Sequence, residues 1–424
     1  MDLLPVRAFH PNPLNRDAAR LVAPVYDTLG PEDHRRLDGR PHNAATFTSR
    51  PSELPVPEFL DRAMDRLSAA LSAGAFVQDP SPALYVYAIR FRPPPDIVES
   101  LEERQRRPDY LLLGIVGALP PGSTSSPQIA PHERTFDARV EERVQLTERT
   151  RTHFAPIMAG YDRGDHQVND LVESYLGVDR RGLSFDGKRP PLVDVELDGT
   201  THRLWRIDDH EVEEKLRELL RPHRLLILDG HHRFTAAARL QSRGVPVHPL
   251  TVLVEARDKA LLLLPWHRVL PPSVMTYRKL LSLGRSHFPT VEELPSQGGV
   301  EAALRALRGL RVHGERGFVA AGAQGTAIFR TRESSGEGGD YEALHRFLEE
   351  ELHLDPSGFS FVRSVRSAME AVQREQGVAC LLPPLSFEGV EREAFAHRVM
   401  AQKSTMFLPK VAEGVIFAPA MDGN

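Results

Sequence analysis

Five consecutive residues near the middle of the chain have an order that suits the binding of a phosphate. The sequence DGHHR at 229–233 follows the apolar residues 225–228 and opens a stretch with helical spacing. The first turn of a helix presents unpaired N–H groups and the positive end of the helix dipole, which together attract anions. Gly230 would let a ligand approach the backbone without meeting a Cβ, and the fork of Arg233 could clamp a phosphate at two points. The sequence therefore predicts a phosphate site at the start of this helix.

Three side chains of the same turn admit a structural as well as a chemical interpretation. His231 and His232 would add donors whose charge changes near neutral pH, and His231 is a candidate catalytic residue. Asp229 could coordinate Mg²⁺ beside phosphate oxygens, although an Asp before a helix is more often its cap. Each residue alone favours the structural interpretation. The five residues together favour a functional site.

A second cluster, His132 and Glu133, lies in a loop after a buried strand, and Pro131 stiffens the start of this loop. A Glu beside a His in such a loop could serve as a general base or a metal ligand, so both residues are catalytic candidates. The alternative is a loop that caps the next helix, and the sequence does not separate the two. The zinc-protease pattern is excluded because no second His follows at helical spacing.

Two further sets of residues could complete a phosphate site. Lys403, Ser404, Thr405 and Lys410 place two amines and two hydroxyls within one short stretch that could contact phosphates. Taken alone this stretch favours a solvated surface strand, and it lacks the upstream glycines of a P-loop. Asp27, at the end of a short apolar stretch, is a second candidate for holding Mg²⁺, although an ordinary turn residue is the simpler interpretation.

The elements that must position these residues are those of an α/β protein with a mixed sheet. Apolar runs at 110–119, 156–161, 225–228 and 249–254 predict strands, the first of them buried on both faces. Helical spacing is found at 57–73, at about 137–154 and from 231 to about 243. A hairpin is predicted at 193–197 and 201–207, with Asp198-Gly199 as its turn and Asp208 capping the following helix.

The composition excludes several classes of protein. The 424 residues are 41% hydrophobic and 26% charged, as in an ordinary globular chain. A net charge of −5 argues against a general binder of nucleic acids or membrane surfaces. The single cysteine, Cys380, excludes an internal disulfide and suits a reducing compartment. No apolar run is close in length to a membrane span, which takes about 20 residues. The first residues show no signal-peptide pattern, so we expect a cytoplasmic protein.

These motifs occur in an order that resembles the bacterial and archaeal family called domain of unknown function 1015. The matching pieces are Ala23-Pro24-Val25-Tyr26-Asp27, the sequence DPSPALYVY at 79–87, Pro131-His132-Glu133 with Thr135, residues 150–161, the DGHHR turn, Leu264-Pro265-Trp266-His267-Arg268, Lys403-Ser404-Thr405 and Pro409-Lys410. One departure is Val25, where the family usually carries a second proline; we expect it to affect the stiffness of the turn rather than chemistry.

The DGHHR turn also looks like the phosphate-gripping turn of the ParB/sulfiredoxin superfamily, which includes CTP-hydrolysing ParB proteins, ATP-using sulfiredoxins and kinases of free serine. The likeness implies phosphate-binding roles for Gly230, His232 and Arg233. It implies a ParB/sulfiredoxin-like core at 109–255, an N-terminal α/β segment at 1–108 and a C-terminal α/β domain at 256–424.

Together the motifs and the resemblance lead us to expect a nucleotide-dependent phosphotransferase that acts on a small hydroxylated metabolite such as free serine. ATP or ADP would be the nucleotide, with Mg²⁺ held by Asp229 or Asp27, and Glu133 would deprotonate the acceptor hydroxyl. A phosphatase or nucleotide hydrolase would use the same residues. A nucleotide-gated DNA-binding protein and a metal-only hydrolase are further alternatives. Nucleic acid is a disfavoured partner, and the sequence leaves a homo-oligomer open.

Overall fold

The computed structural model describes residues 2–101, 105–162, 164–180, 183, 187–295, 299–331, 338–355 and 358–421. The strands are β1 Phe9–Pro11, β2 Phe76–Gln78, β3 Tyr85–Phe91, β4 Tyr110–Ala118, β5 Ile129–Ala130, β6 Thr152–His153, β7 Ile157–Tyr161, β8 Val193–Leu197, β9 Thr200–Arg206, β10 Leu225–Asp229, β11 Leu250–Glu255, β12 Leu262–Leu264, β13 His267–Leu270, β14 Thr290–Glu293, β15 Gly317–Gly322, β16 Gly325–Arg330, β17 Ser360–Val362, β18 Val378–Leu381, β19 Met406–Leu408 and β20 Ala418–Pro419.

The α-helices are α1 Pro31–Asp38, α2 Ala45–Thr48, α3 Val56–Ser72, α4 Pro95–Ser100, α5 Asp137–Thr150, α6 Gln167–Leu176, α7 His210–Leu220, α8 His231–Ser242, α9 Tyr277–His287, α10 Gly299–Val312, α11 Gly339–His345, α12 Val365–Glu375 and α13 Phe387–Phe395. A π-helical stretch, Arg346–Glu351, continues α11, and short 3₁₀ turns include Tyr26–Thr28. None of the helices in the described ranges is long and apolar enough to cross a membrane.

The larger sheet has eight strands in the order β5-β10-β7-β11-β4-β3-β9-β8. It is mixed, because β10 runs parallel to β5 and antiparallel to β7, and β7 runs parallel to β11. All nine residues of β4 are buried, as the apolar run predicts for a strand covered on both faces. The boundary predicted near residue 108 falls inside this sheet, since β3 pairs with β4 along its whole length.

Two different parts of the chain cover the faces of this sheet. Helices α6, α7 and α8 pack on one face, through Val172, Leu216 and Phe234 among others. The C-terminal segment packs on the other, where Phe407 and Ile416 join the core formed by β3, β4 and β11. The C-terminal segment therefore returns to the large sheet and reaches the end of β10.

The hairpin prediction is confirmed: β8 and β9 are joined by Asp198 and Gly199, whose φ angles are 49° and 75°. Two positive φ angles at the centre of a two-residue turn match the right-handed twist of the strands. The cap prediction is wrong by one residue. Asp209, not Asp208, caps α7, and its carboxylate accepts hydrogen bonds from the N–H groups of Glu211 and Val212 at 3.0 and 3.2 Å.

The second sheet has six strands in the order β14-β16-β15-β18-β13-β17, all drawn from residues 267–381. Its two faces form separate hydrophobic cores, one with α9 and α11 and one with α10 and α12. The two sheets are linked where α4 meets α12. There the carboxylate of Asp96 accepts hydrogen bonds from the hydroxyls of Ser364 and Ser367.

Candidate functional site

The DGHHR turn lies where β10 ends and α8 begins, as the sequence predicts. Gly230 is the residue before the first turn of α8 and has φ +86° and ψ 30°. A Cβ at this position would come within 2.9 Å of Nε and Nη2 of Arg233. The space in front of Gly230 is therefore filled by the chain's own guanidinium. Arg233 would have to move before a ligand could approach the backbone there, and the phosphate-binding role of Gly230 stays a prediction.

Arg233 is turned into the protein and is 8% exposed. Its Nη1 donates to the carbonyl of Pro156 at 2.8 Å, and its Nη2 donates to Oδ2 of Asp229 at 2.9 Å. Its Nε is buried and has no hydrogen-bond partner among the described residues. Two of the three nitrogens are thus committed to the fold, and the phosphate-binding role of this residue stays a prediction.

Asp229 lies between two cations. Oδ2 accepts from Arg233, and Oδ1 accepts from the Nζ of Lys410. Burial alone would raise the pKa of Asp229, but the charges of Lys410 and Arg233 hold it well below its usual value. A carboxylate that already neutralises two cations is a poor ligand for a third. Asp229 therefore does not suit Mg²⁺ in this arrangement.

The other metal candidate is Asp27, in the N-terminal part of the chain. Asp27 is exposed and belongs to the 3₁₀ turn Tyr26–Thr28, which agrees with its simpler interpretation as a turn residue. Its charge raises the pKa of His232, but burial and the charge of Arg139 outweigh it. In the described part of the chain no three His, Cys, Asp or Glu side chains are grouped so as to hold a metal ion. The side chains thus do not by themselves fit a resident Mg²⁺ site.

His132 and His231 face each other with ring centroids 4.5 Å apart, in a T-shaped arrangement. Nδ1 of His132 lies 2.9 Å from the carbonyl of Ile227, which can only accept, so Nδ1 carries the hydrogen. Nε2 of His132 then accepts from the hydroxyl of Thr405 at 2.7 Å. Nε2 of His231 approaches the same Nδ1 at 3.3 Å. The contact fixes the orientation of both rings.

These histidines are neutral at neutral pH. Burial lowers the pKa of His132 to about 4 and that of His231 well below its ordinary value. Burial, with the charge of Arg139, also lowers the pKa of His232 to about 4. The expectation that His231 and His232 change charge near neutral pH is therefore wrong, because removing a ring from water penalises its charged form.

Glu133 stands beside this pair and is the side chain of the site best suited to move a proton. Its Oε1 accepts from the backbone N–H of Lys403 at 3.0 Å, and its Oε2 lies 3.4 Å from the hydroxyl of Thr405. Burial raises its pKa, while Lys403 and Lys410 oppose the shift. A carboxylate with a raised pKa that is only partly covered can act as a general base. The loop does not cap α5 through a side chain, since Phe136 precedes that helix.

The C-terminal cluster reaches the site from far along the chain, and its parts differ in role. Lys403 adopts φ +56° and places its Nζ 5.2 Å from the ring centre of Trp266. The hydroxyl of Ser404 is buried and donates to the carbonyl of Ala401 at 2.6 Å, so it supports the turn rather than facing a ligand. The interpretation of this stretch as a solvated surface strand is wrong.

Arg268 holds the same turn in place, a role that the sequence did not indicate. Its guanidinium is buried, and it donates to the carbonyls of Trp266 and Gln402 at 2.8 and 3.2 Å. Its position in β13, a strand of the smaller sheet, makes it a direct link between that sheet and the candidate site.

His232 lies at the outer edge of the site, stacked on Phe136. The two rings are 6.1 Å apart and nearly parallel, and Nε2 of His232 accepts from the N–H of Phe136 at 3.2 Å. Phe136 is itself exposed, and the guanidinium of Arg139 lies over its ring, 5.5 Å from the ring centre. The edge therefore offers an aromatic surface beside a positive charge.

A small polar cavity lies on the opposite side of Arg233, and the sequence analysis missed it entirely. Arg143, His153 and Glu413 line it together with Tyr26 and Arg233. Apart from Arg233, these residues come from α5, β6, the C-terminal segment and the turn before α1, so no local spacing could indicate them.

The chain belongs to the family described as protein of unknown function DUF1015, whose model matches residues 3–335. The candidate residues from Asp27 to Arg233 lie within the matched part, and Lys403 to Lys410 lie beyond it. No curated protein matches the chain.

Solved structures that align with this chain include free serine kinase in complex with AMP, at 13% identity and a TM-score of 0.41, covering 70% of this chain and 87% of that one. A conserved hypothetical protein from Pyrococcus furiosus has 13% identity and a TM-score of 0.38, covering 70% and 90%. SbnI with a C-terminal truncation, from Staphylococcus aureus, has 13% identity and a TM-score of 0.38, covering 69% and 82%.

Proposed function

We propose that the protein is a nucleotide-dependent phosphotransferase that transfers a phosphoryl group from ATP or ADP to a small hydroxylated molecule, on a ParB/sulfiredoxin-like core. The observation that carries the proposal is the position of Glu133. Its carboxylate has a raised pKa and lies beside two lysines, Lys403 and Lys410. Phosphoryl transfer requires two things of a protein: a base for the acceptor hydroxyl and a positively charged environment for the phosphates.

The roles follow from the contacts. Lys403, Lys410 and the unpaired N–H groups at the start of α8 would neutralise and orient the phosphates. Glu133 would accept the proton of the acceptor hydroxyl while the oxygen forms its bond to phosphorus and the bond from phosphorus to the nucleotide oxygen breaks. The backbone N–H of Lys403 holds the carboxylate in place. A Mg²⁺ carried by the nucleotide would neutralise phosphate charge, and Asp27 is the exposed one of the two predicted ligands.

The first experiment measures transfer directly. The protein is incubated with ATP or ADP, Mg²⁺ and a panel of hydroxylated amino acids, and ³¹P NMR follows the products. The sequence resemblance to kinases of free serine puts L-serine first in the panel. We expect a phosphorylated acceptor and a shortened nucleotide in equal amounts. Release of inorganic phosphate without any acceptor would instead identify a hydrolase, and no reaction of either nucleotide would overturn the proposal.

The second experiment tests Glu133. The variant Glu133→Gln keeps the size of the side chain and removes the base, so we expect kcat to fall by about 10²–10⁴-fold with nucleotide affinity retained. Glu196→Gln makes the same change on an exposed position of β8 and should leave transfer unchanged. Equal activity of the two variants would exclude Glu133 as the base.

A further inference from the structure

The cavity behind Arg233 contains buried polar atoms that the fold leaves unpaired. Nε of Arg143, Nε of Arg233, Nε2 of His153 and Oε2 of Glu413 are buried, with no hydrogen-bond partner in the described part of the protein. All four side chains line the same cavity. Each residue is less than a tenth exposed. Buried polar atoms without partners are costly, and several of them on side chains that line one cavity indicate a missing ligand.

The cavity carries both signs of charge. Arg143 is paired with Glu142, which also pairs with Arg50, so this group retains one positive charge. Arg233 shares Asp229 with Lys410, so this second group also retains one positive charge. Glu413 brings the opposite sign between them. An anion alone would meet the carboxylate of Glu413, and a cation alone would meet the two guanidinium groups.

The polar atoms are held rigidly rather than free to fold away. The guanidinium of Arg143 lies 4.3 Å from the ring centre of Tyr26 and donates from Nη1 to the carbonyl of Thr48 at 2.7 Å. Oε1 of Glu413 accepts from the N–H of Tyr26 at 2.9 Å, and Oε2 has no hydrogen-bond partner in the described part of the protein. The hydroxyl of Thr48 lies beside Glu413 but outside hydrogen-bond geometry. A preformed arrangement of this kind binds without paying for reorganisation.

The size of the cavity limits what it can hold. Its volume is about 30 Å³ and it is partly open to solvent. One water needs about 10–15 Å³, so the cavity takes two waters or the charged end of a small molecule whose remainder points outward. The neutral ring of His153, whose pKa burial lowers to about 4, adds a polar contact without adding charge.

We propose that this cavity binds the ammonium and carboxylate groups of a free α-amino acid. The carboxylate receives hydrogen bonds from Nε of Arg143 and Nε of Arg233, and the ammonium donates to Oε2 of Glu413. Binding itself rests on the cavity alone. The further role of the amino acid as phosphoryl acceptor rests on the proposed function; Arg233, which lines this cavity and pairs with Asp229, is the residue that the two sites share.

The test compares molecules that carry both charges with molecules that carry one. Isothermal titration without nucleotide measures binding of glycine, L-alanine and L-serine, and of acetate and ethanolamine as single-charge analogues. We expect at least one of the amino acids to bind, and the analogues to bind at least tenfold more weakly. Acetate that binds as tightly as glycine would overturn the inference in favour of a plain anion site. Absence of binding by all three amino acids would overturn it in favour of bound water only.

Variants locate the site. Glu413→Gln removes the negative charge and should weaken amino-acid binding at least tenfold, while Glu196→Gln should leave it unchanged. If Glu413→Gln does not fold, the comparison of analogues on the unmodified protein still distinguishes an amino-acid site from a plain anion site. Binding of an amino acid without any phosphoryl transfer would overturn the proposed function and leave this inference standing. Transfer to an acceptor without amino-acid binding in the cavity would overturn this inference and leave the proposed function standing.

Discussion

At the scale of single residues, Gly230 and Arg233 depend on each other. The left-handed backbone at Gly230 turns the chain from β10 into α8, and the absent Cβ leaves room for the guanidinium of Arg233. That guanidinium in turn joins Asp229 to the carbonyl of Pro156. The glycine of the DGHHR motif is thus required by the packing of its own arginine.

We predict that Gly230→Ala destabilises the protein more than Gly244→Ala, in chemical denaturation. Both glycines have positive φ, of 86° and 83°, so both variants carry the cost of about 1–2 kcal/mol for a left-handed alanine. Only the Cβ at Gly230 meets Arg233, and displacing that side chain adds about 1–3 kcal/mol through lost hydrogen bonds. Equal losses in the two variants would show that Arg233 moves aside freely.

The hydroxyl of Thr405 gives a second prediction at this scale. Thr405→Val keeps the shape of the side chain but leaves Nε2 of His132 buried without a donor, which should cost about 1–3 kcal/mol of unfolding free energy. Thr405→Ser keeps the hydroxyl and should recover most of that loss. Urea denaturation of the three proteins measures the difference. Identical midpoints for the two variants would exclude the hydrogen bond as a source of stability.

At the scale of elements, the site exists because the segment after β19 meets the end of β10. Lys410 and Asp229 lie 181 positions apart in the chain and form an ion pair. We predict that Lys410→Met and Asp229→Asn are coupled by about 2 kcal/mol in a double-mutant cycle of unfolding free energies. Removing one partner of a buried pair costs about 3–5 kcal/mol, and we expect a smaller coupling energy here because water reaches Lys410.

The cycle separates the pair from other effects of either substitution. Lys410→Met should be costly in the native background and nearly neutral in the Asp229→Asn background, where the carboxylate is gone. Strictly additive losses would mean that the two side chains do not interact in solution, and that Asp229 is free to take another cation.

The elements themselves could be predicted from the sequence, and their meeting could not. The apolar run of β4, the helical spacing of α8 and the Asp198-Gly199 turn are local signals, and each is confirmed. The pairing of His132 with Thr405 spans 273 positions, and no local pattern encodes a contact of that range. Residue types alone do not show which side chains are buried. The low pKa values of His231 and His232, which burial causes, could therefore not be predicted from the sequence.

At the scale of the whole molecule, neutral histidines are buried in both halves of the protein. Burial lowers the pKa of His132 and His153 to about 4, and of His202 and His267 to about 3. The first three lie in or beside the large sheet, and His267 lies in β13 of the smaller one. Acid should therefore weaken both sheets at once rather than one local region.

We predict that the unfolding free energy falls steeply as the pH drops from 7 to 5. An unfolded histidine has a pKa near 6.5, so in this range the unfolded chain binds protons that the folded chain cannot. Each such histidine removes about 2 kcal/mol between pH 7 and pH 5, and its contribution is fully present only above pH 6.5. Glu133 and Glu413, whose pKa values burial raises, act in the opposite direction because the folded state binds their protons more tightly.

Urea denaturation at half-unit pH steps gives the slope of unfolding free energy against pH. The variant His202→Asn should reduce this slope by nearly one proton near pH 5.5. A profile that is flat from pH 7 to 5, or a slope that His202→Asn leaves unchanged, would show that water reaches these rings in the folded protein.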